Sequence, residues 1–158
     1  MRALDPKEIL HFAVRIEEEG ETYYRAAADL VKSDEEKETF LHLAKEEEEH
    51  KKTFQEMEAG IGAIPKALLE SEEYRNFISA FLEGAVFPSQ SPEERIAGVK
   101  DPVDVINLAI QDELNSILFY HELKPLVTPE HHSLLDDIID EERNHFLELV
   151  EMKTKTKG

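Results

Sequence analysis

Phe40-Leu-His-Leu-Ala-Lys-Glu-Glu-Glu-Glu-His-Lys-Lys-Thr-Phe-Gln-Glu-Met57 is the stretch that decides the fold. Taken in steps of three and four residues it gives Phe40, Leu43, Glu47, His50, Phe54 and Met57. That is one face of a helix, apolar at both ends and broken in its middle by a carboxylate and, a turn later, an imidazole.

The same rhythm recurs three more times. Ala13, Glu17, Gly20, Tyr24, Ala27 and Val31 precede it; Ile106, Ala109, Glu113, Ser116, Tyr120 and Leu123 follow, and then Leu135, Ile138, Glu142, His145, Leu149 and Met152. Boundary residues agree with the rhythm. Asp5-Pro6, Asp101-Pro102 and Thr128-Pro129 each place a capping residue before a first-turn proline, Ser33 or Asp34 can cap the second segment, and Gly60 follows its end. These signals predict helices over 6–31, 34–59, 102–123 and 129–152, a crossover over 60–100, and a frayed polar tail over 153–158. Within the crossover, Tyr74, Phe77, Ile78, Phe81 and Leu82 are spaced for one short helix, and the stretch from Phe81 to Phe87 reads as packing of that segment. The expected fold is all-α: a four-helix bundle of two antiparallel hairpins joined by a long crossover.

Spacing also predicts height. In an antiparallel hairpin, residues equidistant from the turn lie level. The midpoint of 17 and 47 is residue 32, and that of 113 and 142 falls between 127 and 128, both in predicted turns. Glu17 should face Glu47 and Glu113 should face Glu142, so stacking the hairpins gathers four carboxylates and two imidazoles inside an apolar bundle. Four buried carboxylates need compensating charge or must bind protons. Two divalent cations supply it, and oxygen and nitrogen donors suit iron, manganese or zinc better than calcium.

Other groups are assigned blander roles. Glu-x-x-His occurs three times, but Glu8-x-x-His11 lies off the seam. Glu46, Glu48 and Glu49 read as a solvated face; His42, His121, His131 and His132 read as surface or capping groups. Tyr24 and Tyr120 each follow a seam Glu by seven residues, a spacing that suits core packing, a hydrogen bond to the site or a radical relay. Asp112, Asp140 or a backbone carbonyl are candidate acceptors for the outer nitrogen of each imidazole.

Composition removes several classes. The 158 residues carry 36 acidic and 18 basic side chains, a net charge of −18, which disfavours nucleic acid and anionic membrane as partners. The absence of cysteine excludes disulfides, thiolate metal sites and cysteine nucleophiles. No Gly-rich phosphate loop or Gly-x-Ser-x-Gly elbow occurs. No apolar leader or membrane-length run is present, and a cytoplasmic location is expected.

Ala13-Val-Arg-Ile-Glu-Glu-Glu-Gly-Glu-Thr-Tyr-Tyr24, Leu43-Ala-Lys-Glu-Glu-Glu-Glu-His50, the segment Glu113 to Tyr120 and Ile139-Asp-Glu-Glu-Arg-Asn-His145 resemble the rubrerythrin-type branch of the ferritin-like superfamily. The resemblance implies a ferritin-like bundle with two Fe ions, Mn or Zn being alternatives, held by Glu17, Glu47, His50, Glu113, Glu142 and His145. It implies that Glu47 and Glu142 bridge the metals, that Glu17 and Glu113 are terminal, and that each His binds one metal. The implied activity is oxidoreductase chemistry on peroxide or on O₂ and Fe(II), with an external electron donor and a homodimer as the assembly. Iron binding without turnover and a metal-free structural bundle are the alternatives. Two departures stand out: there is no cysteine for a rubredoxin domain, and Ser116 occupies the place of an extra rubrerythrin Glu. Glu48 stands where a bacterioferritin has its haem-binding Met, and the chain lacks the length for a storage cage's fifth helix after the fourth.

Overall fold

A computed structural model of the chain describes residues 6–59 and 70–157. Four long helices carry the architecture: α1 (Pro6–Leu30), α2 (Asp34–Ala59), α5 (Pro102–Leu123) and α6 (His132–Lys157). Among the described residues of the crossover lie two short ones, α3 (Glu72–Phe81) and α4 (Pro92–Ala97), with a π-helical turn at Leu82–Val86 between them. Among the described residues there is no strand. The Asp5 cap, the Gly60 stop and Pro65 lie outside the described residues.

Asp101 and Ser33 cap as the sequence suggests, whereas Thr128 makes no side-chain cap and donates its hydroxyl to Glu130 instead. Asp101 accepts a hydrogen bond from the Val103 amide at 2.9 Å, and Ser33 accepts one from Glu36 at 3.5 Å. Ser91 and Glu94 form a reciprocal capping box that starts α4, a helix the apolar spacing of the crossover does not reveal. The last helix begins three residues later than its proline implies, because Pro129–His131 forms a 3₁₀ turn. It also ends later. The polar tail continues α6 to Lys157, held to α2 by Lys155 on Glu35 at 2.9 Å and by Thr156 on Glu36 at 2.7 Å.

α1 packs along α2 and α5 along α6, while α1 also meets α5 and α2 meets α6, closing the bundle. Two separate apolar clusters fill it. One, around Leu10, Phe54, Leu123 and Leu135, occupies the end where α1 begins; the other, around Ala27, Phe40, Ile106 and Leu149, occupies the end where α1 finishes. Ile78 and Leu82 of the crossover join the first, and Ile96 joins the second. The polar seam residues lie between them. No helix among the described residues is long and apolar enough to cross a membrane.

Candidate metal centre

Glu17, Glu47, His50, Glu113, Glu142 and His145 are all buried, none more than 4% exposed. α1 and α5 each contribute one carboxylate; α2 and α6 each contribute a Glu and, one turn on, a His. Glu17, Glu47, His50 and Glu142 offer donor atoms within 4.8 Å of one another, and so do Glu47, Glu113, Glu142 and His145. Glu47 and Glu142 belong to both groups. The two imidazoles stack, with ring centroids 5.8 Å apart.

Each His Nδ1 points inward. That of His50 lies 2.8 Å from Glu142 Oε1 and 3.5 Å from Glu17 Oε2, and that of His145 lies 3.1 Å from Glu47 Oε1. Among the described residues, seven buried side-chain atoms lack a well-directed hydrogen bond: Glu17 Oε2, Glu47 Oε1, Glu113 Oε2, both carboxylate oxygens of Glu142, and Nδ1 of each His. Buried polar atoms are rarely left so, and seven converging on one place form a donor set for cations. Two groups, each with one imidazole and three carboxylates of which two are shared, fit a dinuclear metal site.

Electrostatics point the same way. Burial, followed by the charge of Glu17, pushes the Glu47 carboxyl well above its usual range, and burial with the charges of Glu47 and Glu113 does so for Glu142. Burial opposes charge on His145, yet Glu113, Glu142 and Glu46 lift it to about 10; His50 is raised likewise by Glu142 and Glu17. Glu17 is itself lowered: burial works against ionisation, but the nearness of Glu47 and His50 and the hydrogen bond from Tyr120 outweigh it. Metal-free, the site keeps its carboxylates by holding protons that cations would displace.

The surrounding contacts are pseudo-symmetric. Tyr24 of α1 donates its hydroxyl proton to Glu113 of α5, and Tyr120 of α5 donates to Glu17 of α1. Both phenols are held well above their ordinary pKa, by burial and then by these carboxylates. Of the three roles open to the tyrosines, the geometry supports packing and a hydrogen bond to the site.

The outer imidazole nitrogens find partners that sequence reasoning missed. His50 Nε2 pairs with Glu141, and His145 Nε2 with Glu46 at 2.5 Å. Asp112 instead holds Arg95, and Asp140 holds Arg143 at 2.7 Å. Glu46 is therefore not simply part of a solvated face, whereas Glu48 does bind surface Lys52. The available signal was symmetry, since Glu46 and Glu141 each immediately precede a Glu that belongs to both donor groups. His11, His42 and His121 are exposed, and His132 sits 3.2 Å from the Val127 carbonyl, all outside the site.

Gly20 completes the cluster by what it lacks. A Cβ there would lie 2.9 Å from Glu47 Oε2, so a larger residue would make that carboxylate shift from its place at the middle of the bundle.

The family model for Rubrerythrin matches residues 8–153. Among solved structures, a protein from Thermotoga maritima described as ferritin-like and diiron-carboxylate is 30% identical, with 99% of each chain covered and a TM-score of 0.71. A hypothetical protein from Pyrococcus furiosus is 21% identical over 97% of this chain and 90% of its own, with a TM-score of 0.67, and shares the fold. A search of curated proteins finds no match to this chain.

Proposed function

We propose, from the premise that the chain belongs to the rubrerythrin family, that its bundle holds two iron ions and uses them in oxidoreductase chemistry on peroxide or on O₂ and Fe(II). The single observation that supports this reading is the set of seven unpartnered buried donor atoms at mid-bundle. Glu47 and Glu142 would bridge the ions, with Glu17 and His50 completing one coordination sphere and Glu113 and His145 the other. A pair of iron ions so held supplies two-electron exchange with peroxide or dioxygen.

The chain's own residues do the rest. Glu46 and Glu141 fix the ring orientation of the two imidazoles, and Tyr24 and Tyr120 hold one oxygen of each terminal carboxylate, leaving the other free to bind. The apolar clusters on either side exclude bulk water. Electrons come from an external donor, and a homodimer is the assembly we propose. A manganese or zinc pair would satisfy the same donors.

A second reading, iron binding without turnover, is favoured by Ser116. Its hydroxyl donates to the Asp112 carbonyl of its own helix at 3.0 Å, so it offers no ligand where the extra rubrerythrin carboxylate would stand. A metal-free structural bundle would leave the seven donor atoms buried without partners.

Metal analysis of protein prepared with iron available tests the site: two irons per chain are expected in the wild type, and stoichiometric binding is lost in the double variant Glu47→Ala, Glu142→Ala. Retention of both irons by that variant refutes the site. Peroxide consumption at many turnovers per iron pair in the presence of a reductant favours the oxidoreductase reading, and uptake well beyond two irons without turnover favours the second.

A further inference from the structure

Gly20 and Ser116 occupy equivalent places: Gly20 stands three residues after Glu17 on α1, and Ser116 three after Glu113 on α5. Both are small and both face the middle of the bundle, while the two imidazoles come from α2 and α6. The side of the site opposite the imidazoles is therefore open where it would otherwise be packed. A cavity of about 40 Å³ fills that space, reaching Glu47 and Glu113 and bounded by Gly20, Ser116, Val86 and Arg95.

Its roof is the crossover, fixed to α5 at two points. Asn115 Nδ2 donates to the Ala85 carbonyl at 3.0 Å, which holds the π-helical turn. Arg95 of α4 makes a two-pronged ion pair with Asp112, both bonds 2.9 Å. Asp112 and Asn115 flank Glu113 and Ser116 in sequence, so one turn of α5 carries both the carboxylate that faces the site and the anchors of the cover above it. π-helical turns concentrate where a helix serves a function at some cost in regularity.

We propose that this cavity is the chamber through which a molecule of two or three heavy atoms reaches the metal pair, and that the Arg95–Asp112 ion pair is the latch of its cover. The inference rests on the metal reading above and adds a route and a size limit to it. One water needs about 10–15 Å³ of such volume, so the chamber has room for roughly three water-sized positions. Hydrogen peroxide or dioxygen fits; an organic hydroperoxide with a bulky carbon group does not. The guanidinium at the mouth is held by Asp112 and rests 5.6 Å from the Tyr23 ring, so it can swing only when the ion pair parts.

Azide, a linear triatomic ligand, is the probe, titrated into the iron-loaded protein and followed by its absorption, with iron per chain measured on the same samples. Ser116→Leu fills the chamber: it should keep two irons while azide affinity falls by about tenfold or more. Arg95→Ala removes the latch: azide association should become about tenfold faster with iron content unchanged. Wild-type azide affinity in an iron-replete Ser116→Leu protein overturns the chamber, and an unaltered association rate in Arg95→Ala overturns the latch. Absence of iron from the wild-type chain refutes the metal reading itself.

Discussion

Nε2 of His145, on α6, lies 2.5 Å from Oε2 of Glu46, on α2 of the other hairpin. Glu141 of α6 returns the same contact to His50 of α2, so each hairpin orients the other's imidazole. Glu46→Ala should leave the fold intact, because its side chain is one-third exposed, and should weaken metal binding by about 10–100-fold. Glu46→Gln, whose amide oxygen still accepts from the ring, should recover part of the loss. Competition against a chelator of known affinity measures both.

Gly20→Ala is expected to separate the two states of the protein. In an ordinary helix interior the change is stabilising by about 1 kcal/mol. Here the new methyl meets Glu47 Oε2 at 2.9 Å. Metal-free, that carboxylate can yield; with ions bound it cannot. The melting temperature of the chelated protein should hold or rise, while the increase produced by added metal shrinks, with affinity down by on the order of tenfold. Equal metal-induced shifts in variant and wild type would show that Glu47 does not need the space.

The pH dependence of stability should reverse sign on metal loading. In the metal-free protein, Glu47 and Glu142 have folded pKa values raised above 4.5, and His50 and His145 above 6.5, with His145 at about 10. Groups raised on folding bind more protons in the folded state. Their stabilisation is complete below the unfolded values and is lost as pH climbs through the folded ones. The carboxyls lowered on folding, Glu17, Glu21 and Asp136, lose their contribution only as pH falls below their unfolded values, beneath the range considered. Chelated protein should therefore lose stability between about pH 5 and pH 10, whereas loaded protein should gain it at the acid end of that range, where protons compete for the ligands. Urea titrations with and without metal at several pH values measure both slopes.

Tyr24→Phe and Tyr120→Phe each leave a buried carboxylate oxygen without its donor. A hydrogen bond to a charged group is worth about 1.5–3 kcal/mol, so each variant should lower the unfolding free energy of the metal-free protein by that amount. Two metals per chain should still bind, since each phenol holds Oε1 of its carboxylate and leaves Oε2 to the ions. Loss of metal in either variant would make that tyrosine part of the binding set.

The alternation of three and four residues exposed the six site residues because a bundle interior admits only the seam, and a carboxylate on the seam has nowhere else to go. Equal distances from the two turns then place Glu17 level with Glu47 and Glu113 level with Glu142. Glu46 and Glu141 escaped because they sit beside the seam, within acidic runs where a solvated side chain and one reaching across to a neighbouring helix have the same spelling. Arg95 escaped for another reason. α4 is only six residues long, too short to show a period, and its contact with Asp112 depends on how the crossover drapes over α5. The length of α6 was underestimated because a lysine- and threonine-rich end looks frayed until the acidic start of α2 is seen beside it.

The division of the apolar interior into two clusters has a consequence for how the molecule comes apart. With ions in place, the charged waist is a rivet joining two oily caps, and the whole should melt in a single step. Stripped of them, the waist becomes the weakest plane in the molecule, and amide exchange should find the two caps opening on separate schedules. Metal content would then govern whether this chain behaves as one cooperative body or two.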